Sequence, residues 1–158
     1  MSQTSETEDS QCLEPLPAGE RPTVLIAEDE RMLRHLLVAQ LRHLGIEPAV
    51  ATPGAEAVRL CAELRPDLVL LDGLLPELHG FEAALFIRNL DPSYQPRIVL
   101  VTGIYKNLRY RNEAKLKYGV DEYVIKPVAT AQLAGVVHRA RKYSAPAFAE
   151  RERESLSA

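Results

Sequence analysis

Four short apolar runs, each followed by polar or charged side chains, constrain the fold of this chain more than any other feature. They occupy residues 23–27, 67–71, 98–101 and 122–125. Between them, apolar residues recur at the three- and four-residue spacing of amphipathic helices. Strands that alternate with helices in this way predict βαβ units, and therefore a parallel sheet with helices on both faces.

The complete pattern predicts five strands and five helices, with a short second strand at residues 47–51. Gly45 is expected to follow the end of the first helix, and Thr130 is expected to cap the start of the fifth. The predicted inward-facing residues are Leu33, Leu36, Leu37, Leu41 and Leu44 in the first helix, Ala57, Leu60, Cys61 and Leu64 in the second, Phe81, Ala84, Leu85 and Leu90 in the third, Tyr110, Ala114 and Tyr118 in the fourth, and Leu133, Val136, Val137 and Ala140 in the fifth. This alternation indicates an α/β, flavodoxin-like, doubly wound sheet of strand order 2-1-3-4-5.

The two ends of the chain differ in composition from the middle. Residues 1–21 are rich in polar residues and proline and are predicted to be a disordered tail. Residues 22–143 would form the domain, and residues 144–158 a C-terminal tail too short for an output domain. The net charge of −3 gives no bulk attraction to nucleic acid or to an anionic membrane. No apolar stretch approaches the roughly 20 residues that span a bilayer, so we expect a soluble, cytoplasmic protein.

The strand ends carry the side chains that point to chemistry. Glu28 and Asp29 follow the first run, Asp72 the second, Thr102 the third, and Lys126 the fourth. In an open parallel sheet these ends converge, and ligands bind there. Carboxylates suit Mg²⁺, which needs only one or two of them and keeps several waters. Because phosphoryl transfer depends on positioning and charge stabilisation, an ammonium and a hydroxyl beside the metal predict a phosphoryl-transfer site.

Each of these residues also has a structural explanation when it is taken alone. An aspartate at a strand end is usually a turn or cap residue. Glu28 and Asp29 could be acidic residues that favour the positive end of the first helix dipole. Only the joint arrangement of these residues at successive strand ends therefore indicates a functional site.

The motifs themselves resemble those of a known family. They are the acidic pair Glu28-Asp29, the loop from Asp72 with Pro76 four residues on and Gly80 eight residues on, Val101-Thr102-Gly103, Lys126-Pro127, and Tyr123 three residues before the lysine. Together they resemble the receiver domain of bacterial two-component response regulators, over residues 21–142. The first acid of the pair is glutamate, where the family more often has aspartate.

The resemblance implies specific roles. Asp72 would accept a phosphoryl group from a histidine kinase with Mg²⁺ as cofactor, and Thr102 and Lys126 would contact the phosphoryl oxygens. The metal ligands would be Glu28, Asp29, Asp72 and the backbone carbonyl of Leu74. Thr102 and Tyr123 would form a switch acting through the face made by the fourth helix, fifth strand and fifth helix, and the bond before Pro127 would be cis. Leu74 and Ile104 would flank the hydrolytic water; because both are apolar, we expect slow loss of the phosphoryl group, measurable as loss of radiolabel.

The expected function is thus a single-domain response regulator, not an enzyme acting on other molecules. Its expected partners are a histidine kinase or phosphotransfer protein, and a downstream protein or second copy; neither DNA nor a membrane is expected. An alternative is a pseudo-receiver that acts as a phosphorylation-independent interaction module. A flavodoxin-like nucleotide binder would need a loop rich in glycine or serine after the first strand, whereas this chain has Glu28-Asp29-Glu30 there.

Overall fold

The structure, a computed structural model, describes residues 14–52, 54–73, 79–103, 112 and 116–142. The strands are β1 (Val24–Ala27), β2 (Ala49–Ala51), β3 (Leu68–Asp72), β4 (Arg97–Thr102) and β5 (Glu122–Ile125). The helices are α1 (Arg31–His43), α2 (Gly54–Leu64), α3 (Gly80–Arg88), α4, of which residues 112 and 116–118 are described, and α5 (Thr130–Arg139). All strand pairs are parallel and the sheet order is β2-β1-β3-β4-β5, so the predicted flavodoxin-like fold is confirmed.

The core has two layers, one on each face of the sheet. The first layer packs α1 and α5 against the sheet, with Leu37, Leu41, Leu133 and Val137 among its buried residues. The second packs α2 and α3, mostly through small side chains such as Ala57, Cys61, Ala83 and Ala84. Because helices cover both faces, every residue of β1 and β3 is buried.

Several helix residues predicted to face the core are instead exposed. They are Leu36, Leu64, Leu85 and Leu90, with exposed fractions between 38% and 56%. The side chains that do contact the sheet from α2 and α3 are largely alanines, because small side chains allow a helix backbone to approach a sheet closely. The predicted stripes are therefore right at Ala57, Cys61 and Ala84, which are buried, and wrong at the exposed leucines beside them.

Two predicted helix boundaries have different outcomes. Gly45 follows α1 with φ of +82°, the left-handed conformation expected at that position. Thr130 is the first residue of α5 rather than its cap; the cap is Ala129, which makes no side-chain capping bond. The Thr130 hydroxyl instead accepts a hydrogen bond of 3.0 Å from the Gln40 amide on α1. Thr130 therefore connects two helices rather than capping one.

The structure also differs from the predicted disordered N-terminal tail in the residues that precede β1. For residues 14–21, within the predicted disordered tail, the structure shows a packed segment: Leu16 is only 5% exposed and belongs to the α1–α5 core layer. The Arg21 guanidinium donates a 2.8 Å hydrogen bond to the Leu16 carbonyl. The Lys142 amide, beyond α5, donates to the Glu20 carbonyl at 2.8 Å. Leu16 anchors this otherwise largely exposed segment, because its side chain packs into the core layer that α1 and α5 form against the sheet.

We expect Leu16→Ala to lower the free energy of unfolding by about 2 kcal/mol, since a buried leucine is removed from a packed layer. Urea unfolding monitored by circular dichroism measures the change. Leu36→Ala on exposed α1 surface is the matched control and should change stability by less than about 0.5 kcal/mol. Equal midpoints for the two variants would show that the segment does not pack in solution.

Among the described residues, no helix is long and apolar enough to cross a membrane.

Candidate functional site

The carboxyl ends of four strands bring the predicted site residues to one edge of the sheet. Asp72 and Thr102 are the last residues of β3 and β4. Glu28 follows β1 directly, and Lys126 follows β5. Because β1, β3, β4 and β5 are adjacent and parallel, these four side chains lie along the same edge. Glu28, Asp72 and Thr102 are the polar residues buried within the described part of the chain.

The Lys126 ammonium links the two buried carboxylates. Its Nζ lies 3.3 Å from Asp72 Oδ2 and 3.2 Å from Glu28 Oε2. It donates its hydrogen bond to Glu28 through the other oxygen, Oε1, at 3.3 Å. Lys126 is therefore shared between Glu28 and Asp72, and its charge offsets part of their mutual repulsion.

Glu28 is held in an environment that disfavours its charge. Its side chain is 1% exposed, and burial raises the pKa of the carboxyl to about 7; the neighbouring Asp72 acts in the same direction, whereas Lys126 and the Glu30 amide oppose it. The Glu30 amide donates to Glu28 Oε1 at 3.1 Å. The second oxygen, Oε2, is buried and accepts no hydrogen bond from the described residues. Oε2 is thus held in the site by its charge contact with Lys126 Nζ, 3.2 Å away, rather than by a hydrogen bond.

This donor set fits a hard divalent cation. Glu28 Oε2 offers a lone pair, Asp72 contributes a second carboxylate, and Asp29, the next residue, is exposed at the rim. The described side chains form no preassembled group of three or more metal-ligating residues. Mg²⁺ does not need one, because it retains several waters and uses only one or two protein carboxylates.

Of the other predicted site features, Thr102, Tyr123 and the Lys126–Pro127 bond lie within the described residues. Thr102 is 1% exposed, and the half-buried Tyr123 on β5 packs against the α2–α3 layer. The Lys126–Pro127 peptide bond is cis. Leu74 and Ile104, expected to supply a metal ligand and to tune phosphoryl lifetime, lie outside the described residues, so their roles stay predictions.

Arg34 contacts the site although the sequence reasoning did not identify it. From the first turn of α1, its guanidinium Nη1 donates to the Glu28 carbonyl at 3.2 Å and to the Asp29 carbonyl at 3.4 Å. A signal was available in the sequence, because helical side chains point back toward the helix N-terminus. An arginine one turn into α1 can therefore reach the end of β1.

Gly80, at the start of α3, lies against the backbone of the phosphoacceptor candidate. Its amide donates to the Gly73 carbonyl at 3.3 Å. A Cβ atom built on Gly80 would lie 2.2 Å from the Asp72 carbonyl oxygen and 3.0 Å from Gly73 Cα. Only glycine allows α3 to begin this close to the end of β3, which explains the glycine eight residues after Asp72.

Gly80→Ala is expected to destabilise the protein by roughly 1–3 kcal/mol, since the methyl group meets backbone atoms that cannot rotate away. The backbone movement that relieves this clash should also displace Asp72 and slow its expected phosphorylation. Urea unfolding measures the first effect. Gly19→Ala is the control, because a Cβ at Gly19 has no atom within 4 Å; similar midpoints for both variants would contradict the close contact.

Comparisons with known proteins agree with this geometry. The family model of the response regulator receiver domain matches residues 24–138. The chain is 35% identical over 127 residues to the transcriptional regulatory protein AfsQ1 of Streptomyces coelicolor, covering 78% of this chain and 54% of that protein. The chain therefore spans about half the length of this curated relative.

Solved structures give the same family. The receiver domain of the sensor histidine kinase PA1611 from Pseudomonas aeruginosa is 30% identical, with a TM-score of 0.67 and coverage of 77% of this chain and 97% of that one; it has a magnesium ion coordinated in its active-site cleft, the cofactor expected above. A DNA-binding response regulator of the LuxR family from Staphylococcus aureus is 29% identical, with a TM-score of 0.66 and coverage of 75% and 98%. Fold, strand-end chemistry and sequence agree, and the chain belongs to the response regulator receiver domain family.

Proposed function

We propose that this chain is a phosphorylation-controlled signalling domain in which Asp72 is the phosphoacceptor. An Asp72 carboxylate oxygen forms a bond to phosphorus as the bond from phosphorus to the donor's histidine nitrogen breaks, and the imidazole leaves with that electron pair. The product is an aspartyl phosphate. The chain acts as the receiver in this reaction and catalyses only its own modification.

The observation that carries this proposal is the position of the Lys126 ammonium. It lies 3.3 Å from Asp72 Oδ2 at an edge where buried carboxylates meet, so it can pair with an oxygen of the incoming phosphoryl group. Thr102, at the end of the adjacent strand β4, would offer its hydroxyl to a second oxygen. Positioning and charge stabilisation of this kind account for most catalysis of phosphoryl transfer.

We assign Mg²⁺ to Glu28, Asp29 and Asp72, with the Leu74 carbonyl as a further ligand by family resemblance. Glu28 Oε2, a buried oxygen that accepts no hydrogen bond from the described residues, supports this assignment, as does the magnesium in the cleft of the PA1611 receiver domain. When bound, the ion supplies positive charge that stabilises the transferring phosphoryl group. Glu28 and Asp29 hold the ion beside Asp72.

Incubation with acetyl phosphate and Mg²⁺ tests the proposal directly. Intact-protein mass spectrometry should show a mass increase of one phosphoryl group, and EDTA should prevent it. A protein that stays unmodified in Mg²⁺ and acetyl phosphate, yet is folded by circular dichroism, would favour the pseudo-receiver alternative. Modification that persists in EDTA would contradict the role of the metal.

The output is proposed to be a conformational change of the face made by α4, β5 and α5. If Thr102 moves toward the phosphoryl group, Tyr123 on β5 can reposition, so that a local charge event biases a two-state element. Thr102→Ala should still accept a phosphoryl group but lose the phosphorylation-dependent amide shifts of β5 and α5 in NMR spectra. Thr23→Ala, which removes a hydroxyl bonded to Asp67, is the control and should retain them. Full shifts in phosphorylated Thr102→Ala would contradict the coupling.

The proposed partners follow from this role. The phosphoryl donor is a histidine kinase or phosphotransfer protein in the cytoplasm. The downstream partner is another protein, or a second copy of this chain, that binds the α4–β5–α5 face. Two relatives are named as a transcriptional regulator and a DNA-binding regulator, so the predicted absence of a DNA partner finds no support in the comparisons.

A further inference from the structure

Arg34 donates hydrogen bonds to three successive carbonyl groups of the acidic segment after β1. Its backbone amide bonds the Glu30 carbonyl at 2.9 Å, within the first turn of α1. Its guanidinium Nη1 bonds the carbonyls of Glu28 and Asp29 at 3.2 and 3.4 Å. One residue therefore contacts the backbone of the whole segment that carries the proposed metal ligands.

The Glu28 and Asp29 carbonyls lie beyond the hydrogen-bonded part of the sheet. The pairing of β1 with β2 and β3 ends at Ala27, and α1 begins only at Arg31. The Glu28 carbonyl is part-buried at this contact, where a backbone acceptor favours a protein donor, whereas the contact at the Asp29 carbonyl is exposed. The Arg34 guanidinium, half-buried at the start of α1, provides that donor.

The orientation of the acidic pair depends on this turn. Glu28 is directed inward and is 1% exposed, while Asp29, on the next residue, is exposed at the rim. Small rotations of the peptide between the two residues would redirect both carboxylates at once. The Glu30 amide and the Lys126 ammonium hold the Glu28 carboxylate by hydrogen bonds. The Arg34 guanidinium holds the backbone, through the carbonyls of Glu28 and Asp29.

We propose that Arg34 is a positioning residue for the acidic pair: it holds the Glu28 and Asp29 carbonyls, and thereby aims both carboxylates at a common divalent cation. This inference rests on the proposed function. Arg34 acts through the two residues whose carbonyls it bonds.

The positive charge of Arg34 allows a sharp test, because charge repulsion and positioning predict opposite effects of removing Arg34 on Mg²⁺ affinity. As a nearby positive charge, the guanidinium repels Mg²⁺, so its removal on electrostatic grounds alone would tighten Mg²⁺ binding. As a positioning residue, its removal weakens binding. Loss of a group that orients a metal ligand typically reduces metal affinity by about 10-fold or more, which exceeds the screened repulsion of one partly exposed charge.

The experiment measures Mg²⁺ dissociation constants by NMR titration for wild type, Arg34→Ala, Arg34→Lys and Arg42→Ala. Arg42 is the matched control, since it lies on the same helix but pairs with the exposed Glu47 at 2.7 Å. We expect Arg34→Ala to weaken Mg²⁺ binding on the order of 10-fold, Arg34→Lys to recover part of the loss because it retains a donor, and Arg42→Ala to match wild type. Tighter or unchanged binding in Arg34→Ala would overturn the proposal.

A second measurement does not depend on the metal. In EDTA, the amide resonances of Asp29 and Glu30 should shift in Arg34→Ala and remain in place in Arg42→Ala, while both variants unfold at similar urea concentrations. Unshifted Asp29 and Glu30 amides, or a loss of Mg²⁺ affinity that merely follows a loss of folded protein, would overturn the positioning role. If wild type itself binds no Mg²⁺, the proposed function fails, and the amide shifts still decide whether Arg34 orients the pair.

Discussion

Asp72→Asn is expected to abolish phosphoryl incorporation from acetyl phosphate in the presence of Mg²⁺. An amide is a poor nucleophile and carries no charge, so the variant loses both the attacking oxygen and one carboxylate of the metal site. Lys126, 3.3 Å from Asp72 Oδ2, would keep its contact with Glu28. The fold should therefore persist, and intact-mass spectra should show only the unmodified protein.

The control for this substitution lies just before the other end of the same strand. Asp67 precedes β3 and accepts hydrogen bonds from the Thr23 amide and hydroxyl at 2.8 and 3.0 Å, far from the carboxyl edge. Asp67→Asn should be modified as completely as wild type. A phosphoryl group on Asp72→Asn, stable at neutral pH, would place the acceptor elsewhere in the chain.

Glu28→Gln should make the metal-free protein more stable while it weakens Mg²⁺ binding. The glutamine keeps the shape of the buried side chain and removes a charge that the site disfavours. The Glu28 pKa is raised from 4.5 to about 7. At about 1.4 kcal/mol for each pKa unit, the ionised carboxylate costs roughly 3–4 kcal/mol of folding free energy at high pH.

The sign of the pH dependence follows from the direction of the shift. Because the folded state binds this proton more tightly than the unfolded state, the Glu28 contribution lowers the free energy of unfolding as the pH rises from about 4.5 to about 7. In EDTA, Glu28→Gln should therefore exceed wild type in stability at pH 8, and the difference should disappear toward pH 4.5. Urea unfolding at both pH values measures it.

Addition of Mg²⁺ should reverse the order of stability. A ligand that binds only the folded state stabilises it, so wild type should gain stability at pH 8 and Glu28→Gln should gain little. Glu63→Gln, which removes an exposed carboxylate paired with Arg59, is the control and should behave as wild type in both conditions. A Glu28→Gln variant less stable than wild type in EDTA at pH 8 would contradict the account of a strained, functional carboxylate.

The sequence alone predicted the strand order and the composition of the site. Glu28, Asp72, Thr102 and Lys126 each follow or end an apolar run, and parallel strands necessarily place those ends together. That inference needs only local patterns and one topological rule. The family resemblance singled out Gly80, but only the structure gives the reason for it, which is the 2.2 Å approach to the Asp72 carbonyl oxygen that a Cβ would make.

The tertiary structure decided which patterned residues are buried and which contacts the site residues make. Leu16 packs in the core although it lies in a polar segment, whereas Leu64 is 56% exposed although it has helical spacing. Lys126 is shared between Glu28 and Asp72, and Arg34 holds the turn between β1 and α1. Periodicity specifies the local conformation of each segment, because backbone geometry repeats along the chain. Burial, pKa and hydrogen-bond partners depend on segments that are distant in sequence, and only the packed fold brings those segments together.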